Sequence, residues 1–205
     1  MSFETWAAYL LIETLLCLTP GPAVLFVTGQ AMWRGRAAAL QAAMAVNAVN
    51  LFYFLLSALG LAAVLAASHA AFLVMKWAGV AYLLYLGAKA LADSFAPRTD
   101  AAPPPAARAF LDGALVQLAN PKAVLFFVAI LPQFIDPARP AALQLTILAT
   151  TMIVVETIVL GAYSLAAGAL RARLRSPRLR AWAERLGGGA LLAVAGMTAL
   201  TRRAA

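Results

Sequence analysis

The sequence contains few of the residues that metal centres and disulfides require. It has one cysteine, Cys17, and one histidine, His69. A single cysteine excludes a disulfide within the chain and any cysteine-cluster metal site. One histidine, one cysteine and two acids in apolar segments make a poor cage for a soft metal ion. We therefore expect neither a metal site nor a cofactor, and we interpret Cys17 as a small apolar packing residue.

Charged residues are also scarce. They make up 12% of the chain, whereas 64% of the residues are hydrophobic and the mean hydropathy is +0.86. This composition excludes an ordinary soluble domain and indicates an integral membrane protein. The first six residues carry an acid and no base, so they lack the basic region of a signal peptide, and we expect the first span to be retained.

The long apolar stretches predict an all-α protein with six transmembrane helices in a single domain, residues 1–205. Apart from the last and weakest one, the stretches are about 20 residues or longer, enough to cross a hydrocarbon core of about 30 Å. The spans are 6–30, 38–66, 71–92, 110–135, 143–169 and 186–201. A solvated linker with four prolines, residues 93–109, separates the first three spans from the last three.

The net charge of +8 does not indicate nucleic-acid binding, because the bases are confined to particular loops. With six spans, eleven bases lie on one side of the membrane and four on the other. The positive-inside rule makes the first side cytoplasmic and places both termini outside. Six of the eleven bases are arginines of 171–185, a connection that we expect to contact anionic lipid headgroups.

A four-residue sequence, Ala-Val-Leu-Phe, occurs twice, at 23–26 and at 123–126. Thr19-Pro20-Gly21-Pro22 precedes the first copy, and Asn120-Pro121-Lys122 precedes the second. A capping residue followed by proline is a strong start signal for a helix. Here it falls inside an apolar span, so we predict that the first and fourth spans are each two half-helices. Proline-broken spans at matching positions in two halves indicate the binding site of a transporter.

The repeated sequence also predicts internal symmetry. Residues 1–92 and 110–205 would be two copies of a three-helix unit. Because three is odd, the second copy must be inverted relative to the first. Inverted repeats bring the two broken spans together near the middle of the membrane.

Three motifs, in this order along the chain, together resemble the LysE/RhtB family of amino-acid exporters. They are Thr19-Pro20-Gly21-Pro22, the segment Lys76-Trp77-Ala78-Gly79 to Gly87, and Asn120-Pro121-Lys122 running to Leu131-Pro132-Gln133-Phe134. The resemblance covers the whole chain. It implies a multi-pass exporter of the bacterial inner membrane, which transports an amino acid or a close derivative and is coupled to the proton motive force or to counter-ion exchange. A homodimer is our hypothesis for its oligomeric state.

The chain departs from the family pattern at two positions. Asn50 stands where an acid is common, and Ala23 stands where a polar or acidic residue often follows Pro-Gly-Pro. The departures leave open which residue couples transport to protons and which amino acid is transported.

The half-helices starting after Thr19 and Asn120 would attract the carboxylate of an amino acid, because free N–H groups and the positive end of a helix dipole favour anions. Lys122 adds a full positive charge there, so we expect a counter-charge nearby, either the substrate or an acid on another span. The other interpretation is that Lys122 permanently pairs with an acid and only holds the fold. The predicted substrate-binding residues are Thr19, Pro20, Gly21, Pro22, Asn50, Asn120, Pro121, Lys122 and Tyr163.

Two acids, Glu13 and Glu156, lie within apolar spans. An ionised side chain at the bilayer centre costs about 3 kcal/mol on insertion scales, so such acids are usually interior, paired or protonated. We assign proton coupling to Glu156, with Tyr163 two turns away on the same face, and to Glu13. Asn47 and Gln117 are interpreted as hydrogen-bonding partners between helices.

Two other functions remain open. The first is metal-cation export, which distant relatives of this superfamily are thought to perform. The second is a non-transporting membrane subunit or lipid-modifying enzyme. An enzyme is disfavoured because no acid/base pair or nucleophile–histidine arrangement occurs in the sequence, and we predict no catalytic residues.

Overall fold

The computed structural model describes residues 1–59, 69–95, 106–136, 138–173 and 177–200, and the secondary structure within these ranges is helical. The helices are α1 (Phe3–Leu18), α2 (Pro22–Trp33), α3 (Arg36–Ala58), α4 (His69–Phe95), α5 (Ala106–Leu118), α6 (Pro121–Leu125), α7 (Ala141–Arg173) and α8 (Pro177–Leu200). After α6 the chain continues through a π-helical turn, Phe126–Ile130, and a 3₁₀ turn, Leu131–Phe134.

Two of the described helices, α3 and α7, are each long and apolar enough to cross a membrane. The pair α1 and α2 qualifies when taken as one broken span, as does Arg108–Leu118 with Pro121–Phe134, and both pairs bend by 53°. The interruptions predicted at Pro20 and Pro121 are therefore confirmed. The described residues hold two to four candidate spans, and α4 and α8 contribute the shorter apolar segments Val80–Ala92 and Arg185–Leu200.

Some predicted boundaries were wrong. The arginine-rich connection 171–185 is largely helical, since α7 runs to Arg173 and α8 begins at Pro177, nine residues before the predicted sixth span. Proline is favourable at the first position of a helix, so the charged residues after it continue into α8. The linker predicted at 93–109 is shorter at both ends, because α4 continues to Phe95 and α5 begins at Ala106. Residues 96–105 and 60–68, the latter holding the end of the predicted second span, lie outside the described residues.

Small residues let two pairs of helices approach each other closely. A Cβ atom added to Gly87 on α4 would lie 3.0 Å from the main-chain oxygen of Gly188 on α8, and one added to Gly113 on α5 would lie 3.1 Å from the Cα of Ala42 on α3. Small residues at such contacts favour helix association in membranes through close backbone packing. These contacts join α4 to α8 and α3 to α5, and the broken spans pack among them.

Candidate functional site

The first helix break lies between α1 and α2, and the residues before its two prolines form it. Thr19 and Gly21 are both extended, at φ −73°, ψ 116° and φ −142°, ψ −176°. A residue that precedes proline is pushed out of the helical region by the proline ring. Thr19 therefore ends α1, and α2 cannot start before Pro22.

This geometry corrects the prediction that Thr19 caps the second half-helix. Thr19 is the C-cap of α1, and its hydroxyl donates to the carbonyl of Leu15 at 2.8 Å. Gly21 is the N-cap of α2, without a side-chain cap, and Pro22 occupies the first helical position. The sequence signal was misassigned because Pro20-Gly21-Pro22 offers two prolines, and only the second is followed by helical backbone.

The second break lies between α5 and α6, and here the prediction is confirmed. Asn120 is the N-cap, its side-chain oxygen accepts a hydrogen bond of 3.1 Å from the main-chain N–H of Lys122, and Pro121 is the first helical residue. The side chain of Asn120 thus uses the N–H of Lys122, which is not free for an anion.

Lys122 joins the two breaks. Its Nζ donates to the carbonyl oxygen of Leu16 and, at 3.0 Å, to that of Thr19. A Cβ atom added to Gly21 would lie 3.9 Å from the same Nζ, so the lysine also stands close to the start of α2. The last carbonyls of a helix carry partial negative charge, which a lysine stabilises.

This contact explains how the charge of Lys122 is tolerated at the positive N-terminal end of α6. The nearest partner of Lys122 is the negative end of α1. Lys122 interacts electrostatically with Glu13 and Glu156, but within the described part of the chain it forms an ion pair with neither.

A cavity of about 60 Å³ opens where the breaks meet, and the space around it, including its open mouth, is about 550 Å³. Its polar lining holds the two acids, the lysine and three carboxamides, and its remaining walls are largely apolar. The lining residues are Glu13, Leu16, Cys17, Gly21, Ala23, Val24, Asn50, Gln117, Asn120, Lys122, Ala123, Phe126, Phe127, Glu156, Val159 and Leu160. A concave, mostly apolar space with a few converging polar groups is typical of small-molecule sites.

The three carboxamides form one string of hydrogen bonds across the cavity wall. Asn120 Nδ2 donates to Gln117 Oε1 at 2.9 Å, Gln117 Nε2 donates to Asn50 Oδ1, and Asn50 Nδ2 donates to Glu156 Oε2. All four side chains are buried. This string of hydrogen bonds, the amide string, connects Asn120 at the N-terminus of α6 to Glu156 on α7.

Glu13 faces the same cavity from α1 and is 4% exposed. It accepts a hydrogen bond of 3.4 Å from the thiol of Cys17. Cys17 is therefore part of the polar site, which corrects its interpretation as an apolar packing residue. The spacing of four residues between Glu13 and Cys17 places both side chains on one helical face, and this spacing was the available signal in the sequence.

The structure brings six of the predicted site residues to the cavity: Glu13, Gly21, Asn50, Asn120, Lys122 and Glu156. The remaining five, Thr19, Pro20, Pro22, Pro121 and Tyr163, do not line it. Thr19 and the prolines shape the breaks. The hydroxyl of Tyr163 donates to the carbonyl of Leu18 at 3.0 Å, so this side chain holds the end of α1.

Gln117, Phe126 and Phe127 line the cavity and were not predicted as site residues. Gln117 does hydrogen-bond between helices as expected, and Asn47 does so too, donating to Thr157 Oγ1 at 3.4 Å. Gln117 precedes Asn120 by three residues in an apolar helix, and this spacing was the available signal. Among the described residues, no three of the histidine, cysteine, aspartate and glutamate side chains are placed to hold a metal ion.

The family model of the LysE type translocator matches residues 14–202. A homoserine/homoserine lactone efflux protein of Salmonella typhi is 34% identical over 212 residues, and the match covers 100% of both chains. A leucine efflux protein of Salmonella choleraesuis (strain SC-B67) is 34% identical over 152 residues, 72% of each chain. An uncharacterized membrane protein of Vibrio cholerae is 31% identical over 203 residues, 95% of this chain and 99% of the relative. No solved structure matches the chain.

Proposed function

The chain belongs to the LysE type translocator family, and on this premise we propose that it exports an amino acid or a close derivative across the bacterial inner membrane. The relatives that are named as efflux proteins for homoserine, homoserine lactone and leucine support this substrate class. The match covers 100% of the homoserine/homoserine lactone efflux protein and 72% of the leucine efflux protein.

One observation carries the proposal: a cation and two carboxylates face one cavity at the junction of two helix breaks. An amino acid is a zwitterion, and the cavity offers both complementary charges. Lys122 has three N–H donors and uses two of them on Leu16 and Thr19. The third is directed to the carboxylate of the substrate, beside the N-terminus of α2 at Gly21. Glu156 and Glu13 receive the ammonium.

The other predicted substrate-binding residues support this site indirectly. Thr19, Pro20, Pro22 and Pro121 give the backbone the shape that exposes the end of each half-helix. Tyr163 fixes the last turn of α1, on which Lys122 depends. Asn50 and Asn120 hold the acid and the second helix start in place through the amide string.

Proton coupling follows from the cost of buried charge. An ionised carboxylate in the bilayer needs a partner, and in this cavity the partner is the substrate ammonium or a proton. Glu156, and with it Glu13, would exchange one for the other as two inverted halves alternate their access. Moving one charge through 100 mV is worth about 2.3 kcal/mol, so the net charge per cycle sets how far efflux is driven.

The proposed architecture is six spans in two inverted three-helix repeats, with both termini in the periplasm and the arginines of 171–185 at the cytoplasmic lipid surface. The equal bends of 53° in the two broken spans support the repeat, and the contact of Lys122 with the first break supports their convergence. The working oligomeric state is a homodimer.

Counterflow in proteoliposomes tests the function. The purified chain is reconstituted with one unlabelled amino acid inside, and uptake of the labelled form is followed at two pH values for a panel of neutral, hydroxylated and basic amino acids. We expect counterflow of at least one of them above the rate of empty liposomes. The absence of counterflow for every amino acid tested, with protein shown to be inserted, would refute the proposal.

A further inference from the structure

The amide string has a fixed direction, and its starting point sets that direction. The main-chain N–H of Lys122 can only donate, so Asn120 must present its oxygen to it. The nitrogen of Asn120 then faces Gln117, whose oxygen accepts. Each further carboxamide also accepts at one end and donates at the other, so the first bond determines the rest.

A reversal at any point would be costly. If one carboxamide turned over, two nitrogens or two oxygens would face each other at both of its contacts. Asn50, Gln117 and Asn120 are each at most 5% exposed, so water does not compensate for such a mismatch. The string is therefore a single unit, and Asn50 presents an N–H to Glu156 Oε2.

The fixed direction of the string gives the two carboxyl oxygens of Glu156 different roles. Oε2 is held as an acceptor by Asn50. A carboxylic acid accepts better through its carbonyl oxygen than through its hydroxyl, so a proton on Glu156 resides on Oε1. The other ionisable groups that interact with Glu156 are Lys122 at the second break and Glu13, Cys17 and Tyr9 on α1. The sequence of α2 holds no ionisable side chain.

We propose that Gln117 is a positioning residue for Glu156. It acts through Asn50, keeping Oε2 as an acceptor and leaving Oε1 to carry the transported proton or to meet the ammonium of the substrate. The inference rests on the proposed function, in which Glu156 couples transport to protons. It adds a residue that has no contact with the coupling acid itself.

The string also connects coupling to the helix break. A hydrogen bond to a charged carboxylate is stronger than one to a neutral acid. Protonation of Glu156 therefore weakens the hydrogen bond at one end of the string. The other end of the string is Asn120, which caps α6. Gln117 is the link between these two ends.

The test compares Gln117→Met with the wild-type chain in proteoliposomes, measuring the pH profile, KM and kcat of efflux. Methionine keeps the unbranched shape and removes both hydrogen bonds. We expect the profile to move to higher pH by about one unit, with kcat reduced and KM within about a factor of two. Gln41→Met is the matched control, because Gln41 is half-buried on α3 and outside the string, and its profile should equal that of the wild type.

A second variant and a double variant keep the test decisive. Gln117→Glu preserves size but, when ionised, cannot donate to Asn50, so it should shift the profile in the same direction. In a Glu156→Gln background the shift caused by Gln117→Met should vanish, because coupled residues are non-additive. An unchanged pH profile in both Gln117 variants, or a raised KM alone, would overturn the positioning role while leaving the exporter function standing. A wild-type chain without counterflow would overturn both.

Discussion

The ammonium of Lys122, in the first turn after the second helix break, donates a hydrogen bond of 3.0 Å to the main-chain carbonyl of Thr19 at the first break. One side chain thus neutralises the negative end of α1 while it stands at the positive end of α6. This arrangement makes the first break depend on the second, because the last carbonyls of α1 take a donor from a residue of α6.

Replacing Lys122 therefore tests site and fold together. Lys122→Met keeps the aliphatic stem and removes the charge, so the carbonyls of Leu16 and Thr19 lose their donor and the substrate loses its cation. We expect counterflow to fall at least tenfold, equivalent to about 1.4 kcal/mol. Lys122→Arg should retain more activity than Lys122→Met. Membrane insertion is measured for both variants, and a fully inserted Lys122→Met protein with wild-type counterflow would contradict the role.

Glu156→Gln should separate exchange from proton coupling. Glutamine keeps an oxygen that can accept from Asn50, so the amide string can persist, but the side chain no longer exchanges a proton. We expect efflux driven by a pH gradient to be lost, and the pH dependence of the remaining counterflow to flatten. The measurement is efflux with and without an imposed pH gradient. Glu13→Gln in parallel shows whether one acid or both couple, and a response to the gradient retained in both variants would exclude these acids.

Cys17 provides a direct probe of the cavity, since it is the only cysteine of the chain. Its thiol is half-buried in the cavity wall and donates to Glu13, so alkylation by a maleimide should be slow. Transported amino acids should slow it further by filling the cavity, whereas amino acids that are not transported should have no effect. The matched control is an Arg139→Cys, Cys17→Ala chain, because Arg139 lies in an exposed loop. Protection of both cysteines, or of neither, would argue against a substrate site beside Cys17.

The close contact of α4 and α8 predicts a difference between two glycine substitutions. In Gly87→Ala the new Cβ would lie 2.7 Å from Leu192 Cδ2 and 3.0 Å from the main-chain oxygen of Gly188, so the helices must separate. We expect a loss of about 1–3 kcal/mol in the free energy of unfolding. Gly161→Ala on α7 has no atom within 4 Å of its Cβ and should be neutral or gain up to about 1 kcal/mol. Thermal unfolding in detergent checks both, and equal Tm values would contradict the packing.

The proposed orientation is checked with reporter fusions. Alkaline phosphatase folds only outside the cytoplasm, so a fusion after residue 205 should be active and one inserted at residues 97–105 should be inactive. An inactive C-terminal fusion together with a fluorescent one to green fluorescent protein would place the C-terminus inside, and would mean that α8 does not cross the membrane.

The sequence by itself determined where the helices are interrupted. Thr19 and Asn120 precede proline, and this local steric rule holds whatever surrounds them. Composition likewise determined the membrane environment. With 64% hydrophobic and 12% charged residues, the chain has too few charged side chains to form the water-exposed surface of a soluble domain. The start of α2 was misplaced by two residues because a local rule does not choose between neighbouring prolines.

Only the tertiary structure decided which polar residues act together. Asn50, Gln117 and Glu156 are far apart in sequence and lie on three helices, so no spacing rule could connect them. The partner of Lys122 was likewise a main-chain carbonyl of a distant helix, and every residue carries a carbonyl, so the sequence contains no sign of it. Buried polar groups must find partners wherever packing brings them, and packing is a property of the whole fold.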